Sequence, residues 1–329
     1  MKRVAAFLLI VIVLIFYRPA TSTALPPPQG GTITPPPDPY TGLGIDDLTA
    51  RFYGRGELII DQILDTSLGF TRYLISYPSD DLTIYGFMNV PPGDGPFPVI
   101  IALHGYIDPA VYDTLDYTTH YADDFTRAGY LVLHPNLRGY WPSDGGPNLF
   151  RVGMAVDVLN LIGIVQQTGG LPGALQQADP HSIGLWGHSM GGGISLRVLT
   201  VSPDVKAAVL YGAMSGDERQ NFAKIQEWSG GTRGLDEVAV PDSALLRISP
   251  IYFLDQIQAA VSIHHGESDE LVPLQWSVDL CAQLTLLNQP VGCFTYSGQP
   301  HTFYGEGDQL FIERTVAFFD THLKEKSDQ

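Results

Sequence analysis

Basic residues are scarce in this chain of 329 residues. Lys and Arg total 18 against 35 Asp and Glu, so the formal net charge is −17 at neutral pH. A surface with such an excess of negative charge repels a phosphate backbone and does not neutralise it. We therefore expect no nucleic-acid partner.

Cysteine is almost absent, since Cys281 and Cys293 are the only two in the sequence. Neither lies near the N-terminus, which excludes a lipid-carrying cysteine there. In an exported protein an even count favours a disulfide between them. Two buried free thiols are the alternative, because the sequence does not give the distance between the two Cα atoms. A bridge would join a helix to the strand that follows it.

The N-terminal hydrophobic run is short for a membrane span. Lys2 and Arg3 precede an apolar run at 4–17, and the small residues at 22–24 suit a signal peptidase. A spanning helix needs roughly 20 apolar residues. The pattern predicts a signal peptide over 1–24 and a secreted, extracytoplasmic protein. The alternative is an uncleaved segment that anchors the protein to the membrane. Only in that case do we expect the protein to associate with a membrane.

Two proline triplets that flank a Gly-Gly pair mark residues 25–40 as a linker. Such a composition favours an extended spacer with little packing. Beyond it we find no internal repeat and no second low-complexity break, so 41–329 is predicted to be a single domain. A hydrophobic content of 44% lets the chain bury a substantial core.

Two kinds of pattern follow each other along this domain. Extended segments at 57–63, 70–77 and 82–90 predict antiparallel strands. Short apolar runs then alternate with helical stretches, which predicts an α/β fold with a doubly wound, mostly parallel sheet. The apolar runs lie at 99–103, 130–133, 183–186, 207–210, 260–263 and 292–296, and the helical stretches at 111–128, 151–167, 190–201, 274–287 and 308–324. Ligands bind outside the carboxyl ends of such strands, so we expect the site in the loops after the runs.

The sequence Gly-His-Ser-Met-Gly at 187–191 matches the pattern G-x-S-x-G between a predicted strand and a predicted helix. Glycines on either side allow a sharp turn, on which Ser189 would project above the sheet edge as a nucleophile. The N–H groups at the start of the helix would then point at a forming oxyanion. A merely structural glycine-rich turn is the alternative. We expect His188 to support the turn and not to react.

A serine nucleophile needs a base, and the base needs an acid that orients it. Asp269 and His301 each lie in a loop just after a predicted strand. The chain order Ser189, Asp269, His301 is the order that the α/β-hydrolase fold uses. We therefore predict these three as a catalytic triad, with Glu267 and Glu270 as competitors for the role of the acid.

Two backbone N–H groups are predicted to hold the oxyanion. One belongs to Met190, the residue after the nucleophile. The other is assigned to Tyr106, which follows a predicted strand and Gly105, whose small size lets the backbone approach closely. A plain strand-ending turn is the alternative for this second loop. For His264 and His265, we expect packing and not metal binding.

Five segments together resemble the serine-containing α/β-hydrolases of the dienelactone hydrolase and prolyl oligopeptidase catalytic-domain group. They are PFPVIIALHG at 96–105, NLRG at 136–139, GHSMGG at 187–192, HGESDELVP at 265–273 and GQPH at 298–301. The resemblance extends over most of 82–325. It implies an α/β-hydrolase catalytic domain over 41–329, the triad and the two oxyanion donors named above, and no metal or organic cofactor.

Three departures from the group bear on the substrate. Dienelactone hydrolases proper have Cys where this chain has Ser189, which argues against that specific activity. Prolyl oligopeptidases carry a propeller domain, and the chain ahead of residue 82 is too short to form one. Asn136 stands where the relatives usually have Asp, and we interpret it as structural.

The resulting hypothesis is a secreted serine hydrolase that cleaves carboxylic esters through an acyl-enzyme, with a small-molecule ester as substrate. A prolyl oligopeptidase-like peptidase that cleaves short peptides is the second hypothesis. A non-catalytic hydrolase fold that binds a partner is the third.

Residues 212–249, with Trp228, are predicted as a cap or substrate-lining insertion, and a surface excursion is the alternative. For Trp141, Trp186 and Phe303, a place in the core is favoured over a place in an acyl pocket.

Overall fold

The computed structural model describes residues 38–237 and 239–324. The predicted signal peptide or anchor at 1–24, and residues 25–37 of the predicted linker, lie outside the described residues. From Pro39 onward the chain forms one compact unit.

Nine strands form a single sheet in the order β1-β2-β3-β5-β4-β6-β7-β8-β9. The first three strands and the β3–β5 pair are antiparallel, and β5, β4, β6, β7, β8 and β9 run parallel to one another. The predicted mostly parallel sheet with antiparallel N-terminal strands is therefore confirmed. The strands are β1 (Ile59–Asp65), β2 (Thr71–Ser79), β3 (Leu82–Val90), β4 (Phe97–Leu103), β5 (Leu131–Pro135), β6 (Ala178–His188), β7 (Val205–Tyr211), β8 (Ala260–Gly266) and β9 (Val291–Tyr296).

Eight α-helices and four short 3-10 turns connect the strands of the described chain. The helices are α1 (Ile45–Thr49), α2 (Thr119–Arg127), α3 (Val152–Thr168), α4 (Met190–Val201), α5 (Glu218–Ser229), α6 (Asp242–Ile248), α7 (Leu274–Leu286) and α8 (Gly305–Leu323). The 3-10 turns are Leu149–Arg151, Leu235–Glu237, Pro250–Tyr252 and Leu254–Gln256. Helices α1, α5 and α6 are absent from the predicted pattern.

The helix predicted over 111–128 is shorter than expected, because only Thr119–Arg127 is helical. Aspartate side chains accept hydrogen bonds from nearby backbone N–H groups in the preceding loop. Asp113 accepts one from Leu115 at 2.9 Å, and Asp116 accepts one from Tyr117 at 2.8 Å. Such local bonds stabilise turns and compete with helix formation.

Helices cover both faces of the sheet, so the parallel strands are apolar on both sides. Along β4, Val99, Ile101 and Leu103 pack into one core layer, whereas Ile100 and Ala102 pack into the other. Burial of each large apolar side chain stabilises the fold by roughly 1.5–3 kcal/mol. The second layer is largely aromatic and includes Tyr121, Phe125, Trp186, Tyr211, Phe311 and Phe319.

Helix α3 with the 3-10 turn before it, Leu149–Thr168, is long and apolar enough to cross a membrane by composition alone. An 18-residue window within it has a mean hydropathy of 1.5, and 83% of that window is buried inside the protein. It packs against α4 and β6. This helix therefore belongs to the core layer that covers one face of the sheet.

The strand order reverses next to β4. The chain goes from β4 to the neighbouring β5 and then returns to β6 on the other side of β4. The connecting helices α2 and α4 pack into opposite core layers, so the loops after β4 and β6 diverge. Ligand sites of doubly wound sheets lie in the crevice that such a reversal opens.

Candidate active site

A sharp turn joins β6 to α4, and Ser189 lies at its centre. Its φ of 55° and ψ of −115° are in a region that residues other than glycine rarely adopt. A Cβ at Gly187 would lie 2.4 Å from the carbonyl oxygen of Gly191, and a Cβ at Gly191 would lie 2.3 Å from that of Leu103. Only glycine fits at both positions, which explains the G-x-S-x-G spacing.

Neighbouring loops hold this strained turn by hydrogen bonds to the Ser189 backbone. Its N–H donates to the Tyr211 carbonyl at 2.9 Å, and its carbonyl accepts from the Met214 N–H at 3.0 Å. The residue is buried except where it borders a cavity. The turn therefore presents the serine to that cavity.

His301 and Asp269 meet at the same edge of the sheet. Nδ1 of His301 is 2.7 Å from Oδ2 of Asp269, and the aspartate side chain is only 1% exposed. His301 borders the same cavity as Ser189. The serine hydroxyl and the imidazole are not hydrogen-bonded to each other within the described chain. Catalytic hydrogen bonds of this kind often tighten only when substrate binds.

The carboxylate of Asp269 is fully engaged. Oδ1 accepts the backbone N–H groups of Leu271 and Val272 at 2.9 and 2.8 Å, and Nε2 of His265 lies 3.1 Å from Oδ2. Burial raises the pKa of Asp269, but the hydrogen bonds from His265 and His301 outweigh it and hold the pKa well below its usual range. The group is therefore an ionised acceptor at neutral pH.

The two competing acids do not reach the imidazole. Oε1 of Glu267 accepts from Thr295 on the surface at 2.9 Å, and Glu270 accepts only the backbone N–H of His301, at 3.4 Å. The contact of His265 with Asp269 is not predicted from the sequence, because it depends on how the loop after β8 turns back. The described residues contain no group of three or more side chains arranged to hold a metal ion.

The loop after β4 passes close to the serine. A Cβ at Gly105 would lie 3.1 Å from Cβ of Ser189, so glycine permits this approach. Tyr106 follows it and borders the cavity together with Met190. Met190 is the first residue of α4, where a backbone N–H has no acceptor within the helix. Both predicted oxyanion donors thus belong to residues beside Ser189 at the cavity.

The cavity has a volume of about 970 Å³. One wall comes from the segment 212–249, so the predicted substrate-lining role of this segment agrees with its position. Nε1 of Trp228 donates to the Leu271 carbonyl at 3.2 Å, and the Arg233 guanidinium lies 5.0 Å from the Tyr106 ring. These contacts join the segment to the acid loop and to the loop after β4. Its lining residues are Met214, Ile225, Trp228, Ser229, Arg233, Gly234 and Glu237.

Three aromatic residues considered for an acyl pocket do not border this cavity. Trp186 and Phe303 are buried in the second core layer, as the favoured interpretation expects. Trp141 is 77% exposed, so the core interpretation is wrong for that residue.

Cys281 and Cys293 are joined by a disulfide with a Cα–Cα distance of 6.4 Å, which links α7 to β9.

Asn136 follows β5 and is fully buried. Its side-chain Oδ1 accepts from the Tyr112 hydroxyl at 3.1 Å, and its Nδ2 donates to the Thr114 hydroxyl at 2.9 Å and to the Trp141 carbonyl at 3.1 Å. These bonds connect two loops and do not involve Ser189. They agree with a structural role for Asn136.

A doubly wound sheet with a serine at a strained strand–helix turn, and with Asp and His on later loops, defines an α/β-hydrolase. The comparisons with known proteins agree with this class. The family model described as alpha/beta hydrolase fold matches residues 98–244, and the prolyl oligopeptidase family matches residues 173–326. The chain has the α/β-hydrolase fold, and the resemblance found in the sequence is confirmed.

The similar proteins include both esterases and peptidases. A candidate carboxymethylenebutenolidase of Synechocystis sp. is 24% identical over 243 residues, which cover 70% of this chain and 85% of that protein. A puromycin-hydrolyzing peptidase of Mycobacterium tuberculosis has a TM-score of 0.62 at 20% identity over 80% of this chain. Acetyl xylan esterase 1 of Thermoanaerobacterium sp. has a TM-score of 0.62 at 17% identity, covering 83% of this chain and 93% of the esterase. The matched region spans only 41% of the M. tuberculosis peptidase.

Proposed function

We propose that the protein is a secreted serine hydrolase that cleaves carboxylic esters through an acyl-enzyme. The observation that carries the proposal is the contact between His301 and Asp269 beside a cavity that Ser189 also borders. The strained turn under Ser189 supports it, because strain of this kind is retained mainly where function requires it. Secretion rests on the sequence of residues 1–24.

In the first half-reaction, Oγ of Ser189 bonds to the ester carbonyl carbon while Nε2 of His301 takes the hydroxyl proton. The carbonyl oxygen becomes an oxyanion, which the N–H groups of Tyr106 and Met190 stabilise by hydrogen bonds. The intermediate then expels the alcohol, which leaves with the proton from His301. Water attacks the acyl-enzyme by the same route, releases the acid and restores the serine.

Asp269 orients the base in this scheme. Its carboxylate accepts the Nδ1 proton of His301, which leaves the lone pair on Nε2 free to take the serine proton. The negative charge also stabilises the imidazolium that forms during each half-reaction. This chemistry requires no metal and no organic cofactor.

The walls of the cavity suit an apolar substrate group. Apolar side chains border it near the serine and on the α5 side, whereas charged groups lie at Arg138, Arg151, Arg233 and Glu237. An apolar acyl chain or alcohol gains free energy by leaving water for such a wall. The apolar lining residues are Met154, Met190, Met214, Ile225, Trp228 and Leu271.

A peptidase of the prolyl oligopeptidase type is the second candidate. The observation that favours it is the match of that family to residues 173–326, which contain Ser189, Asp269 and His301. The same acyl-enzyme chemistry cleaves amides when the leaving amine receives the proton from the base.

The test compares p-nitrophenyl esters of graded acyl length with aminoacyl and X-Pro p-nitroanilides. We expect ester turnover that falls by about 10³-fold or more in Ser189→Ala. Ser229→Ala is the control, since Ser229 borders the same cavity and lies on the cap segment. Anilide turnover as efficient as ester turnover would move the assignment to a peptidase. Activity that survives in Ser189→Ala would overturn the proposed nucleophile, and no turnover of either substrate would favour a binding protein.

The compartment is tested by separating the medium from the membrane fraction of cells that express the full chain. Protein recovered from the medium with Leu25 as its first residue supports cleavage and secretion. Protein found in the membrane fraction with an intact N-terminus would support an anchor instead.

A further inference from the structure

A chain of three hydrogen bonds crosses the candidate site behind the serine. The Gly105 N–H donates to the Tyr117 hydroxyl at 2.8 Å, and that hydroxyl is 2.6 Å from Nδ1 of His188. Nε2 of His188 is 2.9 Å from the His301 carbonyl oxygen. The chain therefore joins the loop after β4, the serine turn and the loop that carries the base.

The two ends of the chain fix the direction of every bond in it. The Gly105 N–H can only donate, and the His301 carbonyl can only accept. The Tyr117 oxygen thus accepts from Gly105 and gives its single proton to Nδ1 of His188. His188 must then carry its own proton on Nε2. Burial, together with the nearby His301, lowers the pKa of His188 to about 3, so the ring is neutral at physiological pH.

Each end of the chain lies next to a group that the reaction needs. Gly105 directly precedes Tyr106, whose N–H is a proposed oxyanion donor. The accepting carbonyl belongs to His301 itself, whose ring contacts Asp269. The middle residue, His188, directly precedes Ser189, and its ring centroid lies 4.6 Å from that of His301. The side chains of Tyr117 and His188 thus connect the turn of the nucleophile, the loop of the base and the loop of the proposed oxyanion donor.

We propose that Tyr117 and His188 are positioning residues, which hold the Tyr106 N–H and the His301 ring in place relative to Ser189. This inference rests on the proposed function and deepens it. Neither residue transfers a proton to or from the substrate. They act through the two loops that they connect.

Loss of the Tyr117 hydroxyl affects both ends of the chain. In Tyr117→Phe the Gly105 N–H loses its acceptor, and Nδ1 of His188 loses its donor. The Nε2–H bond to the His301 carbonyl remains, but the His188 ring is no longer held at Nδ1. The loop of the Tyr106 N–H and the loop of the base therefore lose the bond that holds them in register. Misplaced catalytic groups lower the rate of the chemical step more than substrate binding.

The experiment measures kcat and KM on p-nitrophenyl esters with the full chain. We expect kcat of Tyr117→Phe to fall by about 10- to 100-fold while KM changes by less than about 2-fold. Tyr130→Phe is the matched control, since the Tyr130 hydroxyl also bonds to a side chain but donates to Asp320 at 2.6 Å, away from the site. Thermal unfolding of both variants shows whether the two substitutions change the stability of the protein by the same amount.

Two substitutions at His188 separate the two bonds of its ring. Gln carries an N–H₂ group at the distance of Nε2 and can still donate to the His301 carbonyl. Asn carries its amide at the distance of Nδ1. Its amide oxygen can accept from the Tyr117 hydroxyl, but the bond to the His301 carbonyl is lost. We expect His188→Gln to keep a higher kcat than His188→Asn. In the double variant Tyr117→Phe/His188→Asn, the losses should not add, because both act on one chain.

Several outcomes would overturn the proposal. Equal kcat in the Tyr117→Phe and Tyr130→Phe variants would do so, as would a rise in KM with kcat unchanged. If Tyr117→Phe does not fold, the order of kcat between the two His188 variants decides. If Ser189→Ala is inactive and Tyr117→Phe is fully active, this inference is wrong and the proposed function stands. If Ser189→Ala is active, the proposed function itself is wrong.

Discussion

Asp269 is the residue on which the geometry of the candidate site depends most directly. Its four acceptor contacts come from two backbone N–H groups and from the rings of His265 and His301. These contacts keep the buried carboxylate ionised and fix its orientation. The side chain therefore sets both the tautomer and the direction of the His301 ring.

Asp269→Asn tests this role. An amide keeps the size of the carboxylate but cannot accept at both positions, so His301 loses its preferred tautomer. We expect kcat to fall by about 10³- to 10⁴-fold with KM little changed. Glu267→Gln is the control, because Glu267 bonds only to Thr295 on the surface and should keep its activity within about 2-fold. A similar loss in both variants would contradict the assignment of Asp269 as the acid.

The sequence predicts some of these residue-level contacts and not others. The residues predicted for the triad lie in loops right after strands, where the motif and the chain order reveal them. The bond between Tyr117 and His188 joins residues 71 positions apart, and the loop around Tyr117 had been predicted as helix. Contacts of this kind depend on how two loops pack, and no local pattern encodes them.

At the scale of elements, the fully buried side chains of α5 are polar, and its apolar contact with the core comes from the partly buried Ile225. The buried residues of the helix are Glu218 and Asn221. The Glu218 carboxylate accepts from the guanidinium groups of the buried Arg197 and of Arg151, whose side chain is 14% exposed. Two consecutive residues before α3, Phe150 and Arg151, adopt positive φ values of 53° and 60°, which brings Arg151 to this cluster. A search for apolar periodicity does not detect a helix whose buried contacts are polar.

This difference explains which elements the sequence predicts. Helices α3, α4, α7 and α8 and the parallel strands β4 to β8 are anchored by apolar side chains, and their patterns predict them with ends that shift by at most five residues. Helix α6 buries Ala244, Leu245 and Ile248 but is only seven residues long. Helix α5 escapes detection for a different reason. Buried polar contacts such as those of Glu218 replace the apolar face that would identify a helix.

Trp228 near the end of α5 is expected to limit the length of the substrate. Its ring forms part of the cavity wall, and removing it in Trp228→Ala opens space for a longer acyl chain. Two further buried methylene groups are worth about 1.6 kcal/mol, so the ratio of kcat/KM for octanoyl over acetyl esters should rise by about 15-fold. Trp228→Phe keeps a ring there but loses the N–H bond to Leu271, and it should change the ratio much less. An unchanged ratio in Trp228→Ala would mean that the acyl chain lies elsewhere.

For the whole molecule, the stability depends on pH through the buried histidines, because they bind protons only when the protein unfolds. Burial lowers the pKa of His134, His188 and His264 to about 3 each. The pKa of the buried His104 is lowered as well. These rings serve as neutral hydrogen-bonding groups in the interior. In the unfolded chain the same residues titrate near pH 6.5.

We therefore predict that the protein loses stability from about pH 6.5 downward. Above that pH neither state binds the extra protons, whereas between pH 6.5 and 3 only the unfolded state binds them. Each such histidine lowers the free energy of unfolding by about 1.4 kcal/mol per pH unit in this window. Urea unfolding at pH 8, 7, 6 and 5 measures the slope, and His264→Gln should reduce it by about one proton, whereas His181→Gln at an exposed position should not. Stability that stays constant from pH 7 to 5, or a slope unaltered in His264→Gln, would contradict the presence of these neutral buried rings.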